Sequence, residues 1–87
     1  MNKIWSDRAW EEYLDWQIKD KKILKRINEL VKDIERNGLS KGIGKPEPLL
    51  NRKAWSRRIN QKHRLIYNLD SNKNLLVISC KGHYDDK

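Results

Sequence analysis

The spacing of the apolar residues in this 87-residue chain changes once, and that change limits the folds it can form. Between residues 7 and 37, apolar side chains recur every three or four positions, which is the spacing of amphipathic helices. Between residues 54 and 80 they alternate or run together, which is typical of β-strands. Because the length allows one domain, residues 1–87 are predicted to form a single α+β domain.

The N-terminal half predicts two antiparallel helices after a short opening strand at residues 1–5. Ser6 can cap the first helix, because its hydroxyl can accept from an amide in the first turn. Four side chains share one face of this helix: Trp10, Tyr13, Leu14 and Gln17. Asp20 can cap the second helix, and Gly38 can end it because glycine tolerates a left-handed backbone.

The C-terminal half predicts a loop followed by three strands. Residues 39–53 contain two glycines and two prolines without any period, and loops of this length are often functional. Strands are predicted at residues 54–59, 64–69 and 75–80, the last being almost continuously apolar like a central strand covered on both faces. The expected order is β-α-α-β-β-β, with an antiparallel sheet and both helices packed on one side.

The positive charge is concentrated in the second half of the chain. The net charge is +8, of which residues 1–44 carry +2 and residues 45–87 carry +6. A basic half on a small domain favours a polyanionic partner, either nucleic acid or an acidic protein segment. A basic surface without such a partner fits the charge equally well.

Several classes of protein are disfavoured by what the sequence contains. It has no apolar run long enough to span a membrane and no apolar signal segment after Lys3, so a cytoplasmic protein without membrane contact is expected. The single Cys80 cannot form an internal disulfide, and is expected to be buried and inert. His63 and His83 are the two histidines and show no metal-ligand spacing, so neither a metal nor another cofactor is expected.

Three groups of side chains can carry chemistry. Glu47 stands between two prolines, which restrict the backbone on either side of its carboxylate. His83 and Tyr84 follow the last predicted strand. Four basic residues occupy neighbouring strands and the turn between them: Arg57, Arg58, Lys62 and Arg64.

A carboxylate, a histidine and an arginine are the components of metal-free RNA cleavage. The ribose 2′-OH must lose a proton, the 5′-oxygen must gain one, and the crowded phosphorus needs positive charge nearby. The same residue types also occur as solvated surface groups and exposed ion pairs. Composition and spacing therefore leave both interpretations open.

A resemblance to a known family favours the nuclease hypothesis. Segments in the same order from Ile4 to Tyr84 resemble the YoeB/Txe toxins of the RelE superfamily. The segments are Ile4-Trp5-Ser6, Tyr13-Leu14-x-Trp16-Gln17, Lys21 to Leu30, Gly44-Lys45-Pro46-Glu47-Pro48-Leu49, Trp55-Ser56-Arg57-Arg58-Ile59, His63-Arg64-Leu65-x-Tyr67 and Cys80-Lys81-x-His83-Tyr84. The resemblance implies a RelE-like microbial RNase fold and a toxin that cleaves mRNA in the ribosomal A site.

The resemblance also implies a role for each matching residue. Glu47 is expected to be the general base and His83 the general acid. Arg64 is expected to stabilise the phosphate, with Arg58 as a further phosphate contact. Tyr84 is expected to orient the substrate or to stack near the reacting nucleotide.

Arg57 and Lys45 complete the expected RNA-binding set. The implied partners are a YefM/Phd-type antitoxin, the 70S ribosome with its mRNA, operator DNA reached only through the antitoxin complex, and a second copy of the chain. Leu50 departs from the family pattern, which often has a lysine there, and Asp85-Asp86 extends beyond Tyr84. Two alternatives remain open: a gyrase-directed toxin of the ParE type, and an RNA-binding module that does not cut.

Overall fold

The computed structural model describes residues 1–82 and confirms the α+β class. The elements are, in chain order, β1 (Lys3–Trp5), α1 (Asp7–Lys19), α2 (Lys21–Asn37), β2 (Glu47–Pro48), β3 (Trp55–Arg58), β4 (Arg64–Leu69) and β5 (Leu75–Ser79). The strands form one sheet in the spatial order β1-β5-β4-β3-β2. Both helices pack on the same face of this sheet and enclose the core with it.

The direction of β1 differs from the expected antiparallel arrangement. Strands β2 to β5 are antiparallel to their neighbours, but β1 runs parallel to β5, with Lys3 opposite Leu75 and Trp5 opposite Val77. Short turns join β3, β4 and β5, and such turns impose antiparallel pairing. The two helices and three other strands separate β1 from β5, so no turn fixes their relative direction. The sheet is therefore mixed.

The helix boundaries follow the predicted caps. The Ser6 hydroxyl accepts a hydrogen bond from the Ala9 amide at 3.0 Å and donates to the Ile78 carbonyl at 2.7 Å. Asp20 ends α1 and caps α2, accepting from the amides two and three residues further on. Gly38 closes α2 with φ +88°. Ser6 thus fixes the start of α1 to the sheet as well as capping it.

The buried face of α1 is displaced from the predicted one. Ala9 and Trp16 are buried, whereas Trp10 is 47% exposed and Leu14 is 41% exposed. Trp16 lies in the core, where its indole donates to the Cys80 carbonyl just after β5, so the face of α1 that carries Trp16 is the one turned toward the sheet. On α2 five apolar residues at helical spacing are buried, and Leu24 is half-buried beside them; the five are Ile23, Ile27, Leu30, Val31 and Ile34.

Two further expectations for the sheet need correction. The segment predicted as a loop contains β2, a two-residue edge strand in which Pro48 is tolerated because only one side pairs. Strand β5 is central, but Leu76 and Ile78 on its outer face are only half-buried.

No helix within residues 1–82 is both long enough and apolar enough to cross a membrane.

Candidate functional site

The candidate site lies on the outer face of the sheet, opposite the helices. Trp55 packs against the core, so the alternation of β3 turns Ser56 and Arg58 outward. Glu47 pairs with Ser56, and Arg58 pairs with Arg64. Because directly paired residues share a face, the register brings the predicted carboxylate and two predicted arginines to one surface.

Distances along the sheet make these three side chains near neighbours. Paired residues have Cβ atoms roughly 5 Å apart, so Arg58 and Arg64 are adjacent across the strands. Arg58 lies two positions beyond Ser56, the partner of Glu47, which is about 7 Å along the strand. Glu47 and Arg58 are exposed and Arg64 is half-buried. The surface can therefore bind an anion beside an exposed carboxylate.

Arg64 is held in place at both its side chain and its backbone. Its Nη1 donates to the carbonyls of Asn60 at 2.7 Å and His63 at 3.2 Å, so the guanidinium closes the turn between β3 and β4. Its amide donates to the Gly82 carbonyl at 3.0 Å. The last described residue therefore lies beside Arg64. His83 and Tyr84 lie outside the described residues.

The backbone before Glu47 is fixed by a close approach to β3. The Arg58 amide donates to the Gly44 carbonyl at 2.7 Å. Gly44 has φ +83°, and a Cβ there would lie 2.8 Å from Leu30 Cδ2, so the site requires glycine. Lys45 follows with φ +52° and an exposed side chain. This turn directs the chain into β2 and presents Glu47 on the outer face.

Arg57 does not belong to this surface, and the prediction that it binds RNA is wrong. Its side chain is fully buried and forms an ion pair with Asp33 at 2.5 Å. Alternation along β3 puts Arg57 on the same face as Trp55, which faces the helices. A guanidinium in that position has no access to a phosphate.

The buried guanidinium organises the start of the loop that leads to Glu47. Its Nη atoms donate to the carbonyls of Gly38 at 2.8 Å, Lys41 at 2.6 Å and Ile43 at 3.0 Å. Its Nε donates to the Tyr67 hydroxyl at 2.9 Å, and that hydroxyl donates onward to the loop. Arg57 therefore supplies hydrogen-bond donors to backbone carbonyls in a segment that has no regular secondary structure.

This environment shifts the pKa values of two side chains that contact Arg57. Burial raises the pKa of Asp33, but hydrogen bonds from Arg57, the Ile43 amide and Asn37 outweigh it, so the net pKa is lowered below 3.8. Burial raises the pKa of Tyr67 above 10.0, despite the opposing bond from Arg57. At neutral pH the pair is thus ionised and the phenol keeps its proton.

A family model described as a YoeB-like toxin of bacterial type II toxin–antitoxin systems matches residues 5–84. The chain belongs to the YoeB family. The match covers Glu47, Arg58 and Arg64 on the outer face, and it also covers His83 and Tyr84. The YoeB resemblance read from the sequence is confirmed.

Relatives match the chain over nearly its whole length. Toxin YoeB from Escherichia coli K12 is 48% identical over 86 residues, covering 97% of this chain and 100% of the relative. The YoeB dimer from Staphylococcus aureus superimposes with a TM-score of 0.90 at 49% identity, covering 97% of this chain and 98% of that one. A chain of the YoeB-YefM complex from the same species gives a TM-score of 0.87 at 48% identity, with the same coverage.

The contacts that hold the segment after β5 in this YoeB-family chain could not be predicted from the sequence. The Gly82 amide donates to Nδ1 of His63 at 2.8 Å, and the Cys80 amide donates to Glu12 at 2.8 Å. The Cys80 carbonyl accepts from the indole of Trp16 at 2.9 Å. His63 and Trp16 stand in the quoted YoeB segments, but no local pattern predicts contacts across 19 or 64 residues.

The remaining predictions for single residues have mixed outcomes. Cys80 is buried, and burial raises the pKa of its thiol to about 12, so its predicted inertness is supported. Leu50 is 83% exposed in the loop between β2 and β3. Within residues 1–82, no three His, Cys, Asp or Glu side chains converge in a way that could hold a metal ion.

Proposed function

We propose that this YoeB-family toxin is a ribosome-dependent endoribonuclease that cleaves mRNA in the ribosomal A site. The observation that carries the proposal is the placement of exposed Glu47 on the same sheet face as the Arg58–Arg64 pair. A basic pair suits a phosphodiester, and an adjacent carboxylate suits proton removal from the neighbouring ribose.

The proposed reaction divides the two proton transfers between Glu47 and His83. Glu47 takes the proton from the 2′-OH, whose oxygen attacks the adjacent phosphorus. The bond to the 5′-oxygen breaks, and His83 gives that oxygen a proton. The products are a 2′,3′-cyclic phosphate and a 5′-hydroxyl, so the proton count balances without a metal ion.

The arginines stabilise the charge that develops at phosphorus. Arg64 contacts the phosphate in this proposal, and Arg58 and Lys45 extend the positive surface along the RNA backbone. Pre-positioned cations opposite developing negative charge commonly supply a large share of rate enhancement. Tyr84 orients the reacting nucleotide, since a phenol combines a stacking face with a hydrogen-bonding group.

The proposed partners follow from the same family relation. A YefM-type antitoxin binds this chain and blocks its activity, as suggested by the YoeB-YefM complex of the Staphylococcus aureus relative. A homodimer is the proposed free form, by analogy with the YoeB dimer of that species. Operator DNA is reached only through the antitoxin complex, and a ribosomal substrate places the activity in the cytoplasm.

The test is primer extension on a defined mRNA in a purified translation system, with and without ribosomes. Wild-type protein is expected to cut within the A-site codon only when ribosomes are present. Glu47→Gln and His83→Ala are expected to lower the cleavage rate by roughly 100-fold or more, because each removes a proton-transfer group. Glu11→Gln is the matched control, since Glu11 is an exposed carboxylate on α1.

Each alternative function predicts a different result in this test. A gyrase-directed toxin would leave the mRNA intact and would induce DNA damage signalling when expressed without antitoxin. An RNA-binding module would leave it intact but bind RNA in a salt-dependent manner that persists in Glu47→Gln. Full cleavage by folded Glu47→Gln would contradict its role as the base.

A further inference from the structure

The segment Cys80–Gly82 is bonded at both ends to other elements. The amide and carbonyl of Cys80 are bonded to Glu12 and Trp16 on α1. The amide of Gly82 donates to His63 Nδ1 at 2.8 Å, and its carbonyl accepts from the Arg64 amide at 3.0 Å. The chain is therefore fixed immediately before it continues to His83 and Tyr84.

The bond from Gly82 defines the state of the His63 ring. An N–H can donate to Nδ1 only if that nitrogen has a free lone pair, so the imidazole is neutral with its proton on Nε2. The ring also packs edge-on against Trp16, with 4.8 Å between centroids. The turn before β4 also fixes the backbone of His63, because the Asn60 side chain accepts a hydrogen bond from the His63 amide at 2.7 Å.

We propose that His63 is a positioning residue: as a neutral imidazole it holds Gly82, the residue before the proposed general acid His83, beside Arg64, and its protonation releases that hold. The inference rests on the proposed function, because it assigns His63 a role through the general acid. His63 itself touches neither reacting atom in this account.

Four charged groups act electrostatically on the ring. They are Glu12 on α1, Asp20 at the junction of α1 and α2, Lys62 in the turn and Lys81 in the segment after β5. Burial is the main influence and lowers the pKa of His63 below 6.5; the two lysines lower it further, against the opposing carboxylates. The hold is therefore complete at neutral pH and is lost as the pH falls through the lowered pKa.

Three substitutions separate the hydrogen bond from the bulk of the ring. His63→Asn places an amide oxygen at the position of Nδ1 and cannot titrate. His63→Gln is the matched control, because its amide reaches the Nε2 position instead. His63→Phe keeps the ring against Trp16 but removes the acceptor. Thermal unfolding of each variant shows whether it folds before any activity is compared.

The first readout is the rate of ribosome-dependent mRNA cleavage at saturating substrate, from about pH 5 to about pH 8. We expect His63→Phe and His63→Gln to lose roughly 10- to 100-fold in kcat with little change in KM, because misplacing a reacting group costs about this much. We expect His63→Asn to retain at least about 10-fold more activity than His63→Phe. Its kcat should also no longer fall at low pH with the protonation of residue 63, because asparagine does not titrate. Equal activity of folded Asn and Phe variants would overturn the proposal.

The second readout does not depend on cleavage. In ¹⁵N-labelled full-length Glu47→Gln protein, nuclear magnetic resonance follows the His63 ring nitrogens and the Gly82 amide as the pH falls. We expect the Gly82 amide shift to change with the protonation of His63, and to lose that dependence in His63→Asn. A Gly82 amide that does not respond to His63 protonation would overturn the hold, whereas absent cleavage by wild type would overturn only the proposed function.

Discussion

Arg58 and Arg64 face each other directly across β3 and β4 on the exposed side of the sheet. Like charges at paired positions disfavour folding, because their Cβ atoms are roughly 5 Å apart. An anion placed between them removes that repulsion and gains charge-assisted hydrogen bonds. We therefore expect this pair to suit an anion and to lower the stability of the free protein slightly.

We therefore expect Arg58→Gln to separate activity from stability. The substitution removes one phosphate contact and one side of the repulsion, so cleavage should fall by roughly 10- to 100-fold while the melting temperature does not fall. Lys62→Gln is the control, since Lys62 is an exposed cation in the adjacent turn. Equal loss of cleavage in both variants would indicate general electrostatic attraction instead of a local site.

Breaking the buried ion pair of Arg57 and Asp33 is expected to destabilise the fold strongly. Arg57→Met should lower the free energy of unfolding by about 3–5 kcal/mol, because it leaves the Asp33 carboxylate without its cationic partner. Three loop carbonyls would also lose their donors. Urea unfolding measures the change, and adding Asp33→Asn should recover part of it. A loss below about 1 kcal/mol would contradict this role.

The same carboxylate predicts how stability depends on acid. The pKa of Asp33 is lowered in the folded protein, so as pH falls the unfolded chain takes up the proton first. The contribution of the ion pair is complete above the ordinary value of 3.8 and is lost as the pH falls through the lowered pKa. Asp33→Asn should make the free energy of unfolding depend less on pH in that range. It should leave the dependence due to Asp15 and Asp70, whose pKa values are also lowered.

Gly44 and Gly38 provide a matched test of the loop that leads to Glu47. Both have positive φ, and Gly38 combines it with ψ −171°, so alanine at either position carries a backbone cost of about 1–3 kcal/mol. A Cβ on Gly44 would also lie 2.8 Å from Leu30 Cδ2, whereas a Cβ on Gly38 meets nothing within 4 Å. Gly44→Ala should therefore lose more stability in urea unfolding, and more cleavage activity. Equal losses would show that the close approach does not matter.

The helices and their caps could be predicted because their signals are local. Ser6, Asp20 and Gly38 act within a few residues of their own positions, and the period of α2 directly reports its buried face. The parallel pairing of β1 with β5 has no such signal, because it joins positions 72 residues apart, such as Lys3 and Leu75.

The burial of Arg57 was indicated by the alternation of the strand, but its charge favoured the opposite prediction. Its period-two neighbours Trp55 and Ile59 already placed it on an apolar face, yet its charge and its position beside Arg58 favoured an RNA contact. The partner that makes burial possible, Asp33, lies 24 residues away on α2. Alternation is therefore a better guide to the side of a strand than residue type.

The most direct test of the central claim is cleavage of an mRNA that carries a single 2′-O-methyl group at the position of the cut. Ribosomes programmed with this mRNA or its unmodified counterpart are incubated with wild-type protein, and the products are mapped at nucleotide resolution. If the 2′-oxygen is the nucleophile, the unmodified mRNA yields a 2′,3′-cyclic phosphate and a 5′-hydroxyl, and the modified linkage stays intact. Cleavage of the modified linkage at the same rate would contradict the proposed mechanism.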